Sequence, residues 1–377
     1  MNKTFNNKDA EYMKLCLELA KKAEGRTNPN PLVGCVIVKN GKIIATGYHK
    51  CYGSDHAEVV ALKKAGKKAK NAFLYVNLEP CNHYGNTPPC TDAIIKHGIK
   101  KVIVGMRDPN PINNGRGIKK LIKHNIKIKC GIMEKESNEL NRVFIKYITT
   151  GMPYVTCKIA QSIDGKIATK YGESKWITSS FSRKYVHKMR GKVDAILVGI
   201  NTILKDNPLL TARNGLNNKK NIQTKQPVKI VLDSNFKIPF SANIFSKNSS
   251  NLNIIATTRN LNELNIPKKC NIIAIKTKKK NGKIDIEDLL KRLGSFKISH
   301  IMVEGGSLVT ASFIKHKLVD EFLFFIAPKI IGGEKTASVA CGVDRLKDAI
   351  KLSEIKLEKA GEDFIIKGRP DYVYRVS

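Results

Sequence analysis

The sequence predicts an α/β protein built from two domains. Short apolar runs of strand length alternate with stretches of helical period along the chain, an order typical of α/β architecture. A length of 377 residues is long for one domain and suits two. The alternation breaks around Thr149-Thr-Gly-Met-Pro153. We therefore predict one domain over residues 1–150 and a second over residues 151–377.

The first half begins with a helix, a turn and a hairpin. Residues 9–24 carry apolar side chains at helical spacing and are followed by Gly25. The run Asn28-Pro-Asn-Pro31 predicts a stiff turn, because each proline fixes its own φ and restricts the residue before it. Asn40-Gly41 between apolar runs at 32–38 and 42–47 predicts a β-hairpin. The next predicted elements are helices over 57–69 and 91–97 and strands over 73–78, 102–106 and 126–130.

The second half repeats the alternation with shorter strands. The predicted strands cover 154–160, 195–199, 228–232, 253–257, 272–275, 301–304, 322–326 and 363–367, and the predicted helices cover 182–189 and 308–316. We interpret the lysine cluster at 276–283 as a solvated loop and the Asn- and Lys-rich stretch at 214–226 as an inserted loop.

Three residues in the first half form a pattern suited to zinc. His56 lies at a predicted helix start, Cys81 follows a strand, and Cys90 precedes a second helix. Ligands of α/β proteins collect at strand ends and helix N-termini, and a helix N-terminus also favours a thiolate. One histidine and two cysteines are borderline and soft ligands that hold zinc at three corners and leave the fourth for water.

Glu58, two residues after His56, is the predicted proton carrier of this site. His-x-Glu followed by Pro-Cys-x-x-Cys is the pattern of zinc-dependent base deaminases, in which the glutamate is an acid/base and not a ligand. Zinc lowers the pKa of its water, and the glutamate then passes a proton to the leaving amine. Here the second half departs from that pattern, because eight residues separate Cys81 from Cys90.

Alternatives to this interpretation remain at this point. The histidine and the cysteines are also residue types of ordinary protein cores, and a structural zinc site is a second alternative. Cys51 is a candidate fourth ligand. Asn30, between two prolines, is a candidate for hydrogen bonding to the edge of a substrate ring, or simply a turn residue.

Composition limits which binding partners and which cellular compartment the sequence allows us to expect. The formal net charge is +35, but the lysines are spread along the chain, so we interpret them as solvated surface and expect no nucleic-acid partner. No apolar run is long enough to cross a membrane, and the first nine residues lack the apolar core of a secretory signal. Nine irregularly spaced cysteines do not suggest a disulfide framework. We expect a cytoplasmic enzyme without a membrane partner.

Several longer strings resemble a known family. They are Asn28-Pro-Asn-Pro-Leu-Val-Gly-Cys-Val-Ile-Val38, Leu78-Glu-Pro-Cys-Asn-His-Tyr-Gly-Asn-Thr-Pro-Pro-Cys90, Lys158-Ile-Ala-Gln-Ser-Ile-Asp-Gly165, Gly172-Glu-Ser-Lys-Trp-Ile-Thr178, Asp206-Asn-Pro-Leu-Leu-Thr-Ala-Arg213 and Val303-Glu-Gly-Gly306. In this order and over nearly the whole chain, they resemble the bifunctional deaminase–reductases of riboflavin biosynthesis. The resemblance implies a cytidine-deaminase-like α/β/α sandwich followed by a dihydrofolate-reductase-like α/β domain.

The resemblance also implies the chemistry of each domain. The first domain would deaminate 2,5-diamino-6-(5-phosphoribosylamino)pyrimidin-4-one, with one zinc ion per chain held by His56, Cys81 and Cys90 and with Glu58 as proton shuttle. The second domain would use NADPH to reduce the ribosyl group to ribityl. The substrate is thus a small pyrimidine ribotide phosphate, and the family implies a homo-oligomer.

For the reductase, the resemblance implies two sets of residues. The cofactor set is Ala160, Trp176, Thr202, Asp206, Ser234, Gly306 and Ser307, and the substrate set is Ser174, Arg190, Leu210, Arg213 and Glu304, with Asn30 in the first domain. Physical arguments support part of these sets. Two glycines before a helix let a pyrophosphate approach backbone N–H groups, arginine grips phosphate in a bidentate way, and the single tryptophan could stack on a flat ring.

Two other functions are compatible with parts of the sequence. The first is a tRNA adenosine deaminase with a basic accessory domain, which the net charge motivates and the long cysteine spacing opposes. The second is a zinc-stabilised binding protein without catalytic activity, for which Glu58 would be dispensable.

Overall fold

The chain folds into two units that divide between Met152 and Pro153. The structure is a computed structural model that describes residues 7–85, 87–213, 225–245, 252–267, 271–280, 282–333 and 339–372. The predicted inserted loop at 214–226 therefore lies almost entirely outside the described residues. Among the described residues, no helix has the length and apolar character that crossing a bilayer requires.

The first unit is a five-stranded sheet with helices on both faces. Its strands are β1 (Gly34–Lys39), β2 (Lys42–Tyr48), β3 (Phe73–Leu78), β4 (Lys101–Met106) and β5 (Lys127–Cys130). Its helices are α1 (Asn7–Lys21), α2 (Ala57–Ala65), α3 (Cys90–Lys96), α4 (Arg116–Lys123), α5 (Glu134–Leu140) and α6 (Arg142–Thr150). The strand order is β2-β1-β3-β4-β5. β1 is antiparallel to β2 and β3, whereas β3, β4 and β5 are parallel.

Strand β1 shows how the sheet obtains two buried faces. Successive side chains of a strand point to opposite faces. Cys35 and Ile37 belong to a core cluster that also holds side chains of α2, α3 and α6. Val36 and Val38 belong to another cluster that holds side chains of α1. Both faces of β1 are therefore apolar and covered by helices, which makes this unit an α/β/α sandwich.

The second unit is a nine-stranded mixed sheet. Its strands are β6 (Tyr154–Ser162), β7 (Ala195–Gly199), β8 (Val228–Leu232), β9 (Asn253–Thr257), β10 (Ile272–Lys276), β13 (His300–Val303), β14 (Glu321–Ala327), β15 (Leu352–Ala360) and β16 (Asp363–Pro370). Their order is β10-β9-β8-β7-β13-β6-β14-β16-β15. In this spatial order, the first seven strands, β10 through to β14, are mutually parallel. β16 then pairs antiparallel with β14, and β15 pairs antiparallel with β16.

Within the described residues of this unit, four α-helices accompany the sheet. They are α7 (Ser180–Arg190), α8 (Ile200–Asp206), α9 (Ile286–Ser295) and α10 (Ser307–Lys315). Asp285 caps α9, because its side chain accepts hydrogen bonds from two backbone N–H groups of the first turn. Loops at the carboxyl ends of the parallel strands β6, β7, β8 and β13 share one edge of the sheet, which is where ligands bind in α/β proteins.

The structure corrects parts of the predicted secondary structure. The helix predicted over 57–69 ends as an α-helix at Ala65 and continues as a 3₁₀ turn from Gly66 to Ala69. The lysine cluster at 276–283 is not wholly a loop, because β11 (Lys279–Lys280) pairs with β12 (Lys283–Ile284). The sequence analysis did not predict α4, α5, α6, α8, α9 or β15.

Candidate active sites

The structure brings the three proposed zinc ligands together. His56 precedes α2, Cys81 follows β3, and Cys90 is the first residue of α3. The Nδ1 atom of His56 lies 3.2 Å from the Cys90 Sγ and 3.5 Å from the Cys81 Sγ. The three ligand atoms all lie within 4.8 Å of one another. Cys51 is exposed and is not part of this group in the described chain.

Glycine at position 47 lets the ligand-bearing helix approach the sheet closely. A Cβ atom on Gly47 in β2 would meet the Ala57 carbonyl oxygen at 2.3 Å and the Ala61 nitrogen at 2.7 Å. No side chain fits in that space. The helix that follows His56 therefore packs directly on the β2 backbone, and this close packing fixes the position of His56 relative to the sheet.

The two thiols of this cluster differ in their electrostatics. The Cys90 thiol and backbone N–H, together with His56, point at the Cys81 sulfur, and these contacts lower the pKa of Cys81 despite its burial. The contact with Cys81 and burial raise the pKa of Cys90. The hydrogen bond to Cys81 raises the pKa of His56, although burial opposes this. These surroundings therefore favour the thiolate form of Cys81, which is the form that binds metal ions.

This donor set fits zinc. Zn²⁺ prefers sulfur and imidazole nitrogen donors at about 2.0–2.3 Å, which places tetrahedral ligand atoms about 3.5 Å apart. The observed separations of 3.2 and 3.5 Å between nitrogen and sulfur are close to that value. Three protein donors also leave one tetrahedral position open, as catalytic zinc sites do.

Glu58 lies in the first turn of α2 beside this cluster. It is only 3% exposed, and burial raises the pKa of its carboxyl to about 6. A buried carboxyl with this pKa can both accept and release a proton near neutral pH, which a general acid–base requires.

A cavity of about 320 Å³ opens beside the cluster and is lined by His56, Glu58 and Cys81. Asn30 also lines it, and its Nδ2 lies 3.2 Å from Nε2 of His49. The sequence analysis missed His49, a buried histidine whose ring makes an edge contact with the His56 ring. Burial lowers the pKa of His49 and keeps it neutral. A neutral His49 can accept a hydrogen bond from the Asn30 amide and so orient it.

The loop after β4 forms another wall of the cavity, and the sequence analysis missed it as well. Asp108 and Asn110 line the cavity. Burial raises the pKa of Asp108 to about 6. The only local signal was the run Asp108-Pro-Asn-Pro111, which resembles an ordinary turn. This run lies beside the cluster of His56, Cys81 and Cys90 because β3 and β4 are parallel neighbours whose carboxyl ends share one edge.

The predicted cofactor residues of the second unit lie mostly at the carboxyl edge of its parallel strands. Ala160 is near the end of β6, Thr202 is in α8 directly after β7, and Ser234 follows β8. Gly306 caps the start of α10, whose first residue is Ser307. Asp206 is exposed at the end of α8. These positions come from separate parts of the sequence and are collected by the parallel order of β6, β13, β7 and β8.

Glu304 and Arg190, two predicted substrate residues, form a largely buried pair, with side chains that are 7% and 15% exposed. Both oxygens of Glu304 accept hydrogen bonds from Arg190, at 2.8 Å from Nε and 3.0 Å from Nη2, and Nη1 donates to the Thr211 carbonyl at 3.1 Å. Lys158 adds a second positive charge 3.9 Å from Glu304. Burial alone would raise the pKa of Glu304, but Arg190 and Lys158 outweigh it and hold the pKa low. Each guanidinium nitrogen of Arg190 already has an acceptor within the chain.

The remaining predicted residues differ in exposure. Trp176 is 66% exposed, has a φ of 66°, and carries the Arg183 guanidinium 4.2 Å above its ring. Ser174, two residues earlier, is half-buried, and Arg213 is exposed. The Leu210 side chain is buried in the core of the unit, so only its backbone is available to a ligand.

Two family models match the chain. Residues 6–106 match the model of the cytidine and deoxycytidylate deaminase zinc-binding region, and residues 153–366 match the model of the RibD C-terminal domain. The riboflavin biosynthesis protein RibD of Aquifex aeolicus is 46% identical over 365 residues, covering 95% of this chain and 97% of the relative. The same-named protein of Escherichia coli is 38% identical, covering 94% and 97%.

The chain belongs to the RibD family of riboflavin biosynthesis proteins. Solved structures of RibD agree with this assignment. Form 1 of Acinetobacter baumannii RibD has a TM-score of 0.87 at 33% identity, covering 96% of this chain and 99% of that one. A diaminohydroxyphosphoribosylaminopyrimidine deaminase/5-amino-6-(5-phosphoribosylamino)uracil reductase from Thermotoga maritima has a TM-score of 0.83 at 38% identity, with the same coverage.

Membership of the RibD family confirms the predicted fold class and the resemblance. The chain is a bifunctional enzyme of riboflavin biosynthesis, with a zinc-binding deaminase domain followed by a reductase domain. The tRNA deaminase alternative is not favoured, because full-length relatives carry the same second domain. A binding protein without catalysis is likewise not favoured.

Proposed function

We propose that the first unit deaminates 2,5-diamino-6-(5-phosphoribosylamino)pyrimidin-4-one and that the second then reduces the ribosyl group of the product with NADPH. The observation that carries the proposal is the convergence of His56, Cys81 and Cys90 with buried Glu58 at one cavity. A relative from Thermotoga maritima is named for the same two reactions. The order follows from the products, since the reductase acts on a uracil.

We propose that one zinc ion per chain is held by His56 Nδ1, Cys81 Sγ and Cys90 Sγ. A zinc ion at this position supplies Lewis acidity that makes water nucleophilic near neutral pH. The chain supplies the low-pKa sulfur of Cys81 and the buried setting that strengthens electrostatic interactions.

Glu58 is the proposed proton carrier of the deamination. Its raised pKa of about 6 means that the ionised form is available near neutral pH and that the protonated form is not costly. The carboxylate takes a proton from the attacking water and delivers it to the departing amine. Asn30, oriented by His49, is proposed to bind the edge of the pyrimidine ring.

For the reduction, we propose that NADPH lies along the carboxyl edge of β6, β7, β8 and β13. The cofactor residues would be Ala160, Trp176, Thr202, Asp206, Ser234, Gly306 and Ser307, and the ribotide residues would be Ser174, Arg190, Leu210, Arg213 and Glu304. Gly306 supports the phosphate role, because α10 begins directly after it and a Cβ there would meet nothing within 4 Å. Arg213, which is exposed, is better placed than the buried Arg190 to bind the ribotide phosphate.

We also propose that the enzyme works in the cytoplasm as a homo-oligomer and binds neither nucleic acid nor membranes. The spread of lysines along the chain supports a solvated surface. Sedimentation equilibrium tests the oligomer, and a strong salt-sensitive affinity for tRNA would contradict the absence of a nucleic-acid partner.

Product masses test the proposed reactions directly. The zinc-loaded protein is incubated with the diaminopyrimidinone ribotide, with and without NADPH. We expect a rise of about one mass unit without the cofactor, since oxygen replaces an amino nitrogen. A further rise of about two units is expected only with NADPH, which supplies hydride. No mass change without the cofactor, from protein shown to contain zinc, would contradict the proposed deamination.

Two variants test the roles within the deaminase. Glu58→Gln should retain zinc and NADPH-dependent reduction of supplied deaminated ribotide, but should lose roughly 10²–10⁴-fold in the deamination rate. Cys81→Ala should lose zinc and deamination together. Normal deamination by metal-free Cys81→Ala protein would show that the metal assignment is wrong.

A further inference from the structure

Asn113 is a buried side chain that contacts the backbone on both sides of Cys81. It is 1% exposed. Its Oδ1 accepts from the Asn82 backbone N–H at 3.0 Å, and its Nδ2 donates to the Pro80 carbonyl at 3.3 Å. The same Nδ2 donates to Asp108 Oδ2 at 3.1 Å. One amide therefore holds the residue before Cys81, the residue after it, and a carboxylate of the cavity wall.

Glu79, two residues before Cys81, also joins the Cys81 turn to residues 108–118. Its buried carboxylate accepts from the backbone N–H groups of Asp108 at 3.1 Å, Gly115 at 3.0 Å and Ile118 at 3.2 Å. These donors belong to the loop and helix that contain Asn113. The segment that presents Cys81 and the segment 108–118 are thus joined by five hydrogen bonds, and each of them involves the side chain of either Asn113 or Glu79.

We propose that Asn113 is a positioning residue of the metal centre, fixing the backbone around Cys81 so that its sulfur meets His56 and Cys90. Cys81 lies in no helix or strand, so no regular backbone ladder holds its peptide groups. Without Asn113, the Asn82 N–H and the Pro80 carbonyl would lose this partner, and the turn could rotate. The proposal rests on the proposed zinc site.

Asn113 also couples the metal centre to the cavity wall. The amide that holds Pro80 also holds the Asp108 carboxylate, which lines the cavity. A shift of the Cys81 turn would therefore move Asp108, and a shift of Asp108 would move the turn. Loss of Asn113 should accordingly change both the affinity for the metal and the KM for the pyrimidine ribotide.

Two variants and one matched control test the proposal. Asn113→Leu has similar volume and removes all three hydrogen bonds of the side chain. Asn113→Asp keeps an oxygen for the Asn82 N–H but removes the donor to Pro80 and Asp108. Asn114→Gly changes the neighbouring exposed asparagine, whose φ of 20° glycine accepts without strain. It should match wild type in every measurement.

The decisive readouts are zinc affinity and the spectrum of the cobalt-substituted protein. Zinc affinity is measured by competition with a chromogenic chelator. Because partners behind metal ligands typically contribute 10–100-fold, Asn113→Leu should weaken zinc binding about 10-fold or more. The thiolate-to-cobalt charge-transfer bands should shift, since the sulfur of Cys81 is less well placed. Asn113→Asp should also weaken zinc binding, because its second carboxylate oxygen would face the Pro80 carbonyl and the Asp108 carboxylate.

The reductase activity of the same chain serves as an internal control and should not change. Unaltered zinc affinity and cobalt bands in folded Asn113→Leu would overturn the proposal. If Asn113→Leu does not fold, unaltered values in Asn113→Asp would overturn it instead. Failure of the zinc assignment itself is distinguishable, because wild type would then show neither stoichiometric zinc binding nor thiolate–cobalt bands.

Discussion

The buried pair of Arg190 and Glu304 allows a quantitative prediction for the second unit. The Glu304 side chain is 7% exposed, and its two oxygens are held by Arg190 at 2.8 and 3.0 Å. Arg190→Leu leaves this carboxylate with Lys158 at 3.9 Å as its remaining charged neighbour. Removing one member of a buried ion pair typically costs about 3–5 kcal/mol. We expect a loss near 3 kcal/mol in the free energy of unfolding at pH 7, because Lys158 compensates part of the charge.

The loss should depend on pH in a defined direction. In wild type, Arg190 and Lys158 keep the pKa of Glu304 below its ordinary value of 4.5, although burial acts in the opposite sense. The pair therefore contributes stability above that value and loses it as pH falls through the lowered pKa. In Arg190→Leu, burial dominates, so the carboxyl can take a proton instead of remaining buried and charged. The difference between variant and wild type should be smaller at pH 4.5 than at pH 7.

The assay is urea unfolding followed by the fluorescence of Trp176. It is the only tryptophan of the chain, so its signal reports on the second unit alone. Arg345→Leu is the matched control, because Arg345 forms an exposed pair with Asp348 and such pairs contribute about 0–1 kcal/mol. If Arg190→Leu costs no more than Arg345→Leu, or if its cost does not fall toward pH 4.5, the reasoning about a buried charge is refuted.

Three further perturbations have defined outcomes. Gly117→Ala places a Cβ 2.1 Å from the Pro80 carbonyl oxygen and should destabilise the first unit by about 1–3 kcal/mol. Gly85→Ala is the control, because its Cβ would meet no atom within 4 Å. Equal melting temperatures for the two variants would contradict this prediction. Asn141→Ala removes hydrogen bonds to both backbone groups of Leu32 and should lower the free energy of unfolding by about 1–3 kcal/mol. Asn138→Ala, at a half-buried position in the same region, should lower it little. Equal urea midpoints for the two variants would contradict this prediction. Asp164→Ala frees the Ile331 and Gly332 N–H groups of an exposed loop and should loosen that loop, so limited proteolysis should cut the variant near residue 331 faster than wild type. Equal cleavage rates would contradict this.

The cluster of His56, Cys81 and Cys90 could be predicted from the sequence because each of these residues is marked locally. His56 and Glu58 are two residues apart at a helix start, and both cysteines follow prolines at element boundaries. The strands were also predicted well where they are buried on both faces, as in β3 and β7, since such strands are continuous apolar runs. β15 was missed because its Glu- and Lys-rich sequence is largely exposed, and only pairing with β16 makes it a strand.

Residues whose roles depend on distant partners could not be predicted. Nothing near Asn113 in the sequence indicates that its amide contacts Pro80 and Asn82, more than 30 positions away. His49 likewise gains its role from Asn30 across a hairpin. Leu210 is the opposite case. A sequence motif predicts that it contacts the substrate, but the structure places its side chain in the core. Local motifs thus predict ligands, and tertiary packing decides what holds them.

Buried glutamates show how this chain assigns one residue type to different tasks. Glu304 is surrounded by Arg190 and Lys158, which lower its pKa, so its proton is not available for exchange near neutral pH. Glu58 is also buried, but His56 offsets only part of its desolvation, and burial raises its pKa to about 6. A catalytic acid–base requires a pKa near the working pH, whereas a structural ion pair requires a fixed charge. The environments therefore favour Glu58 for proton transfer and Glu304 for holding Arg190 in place.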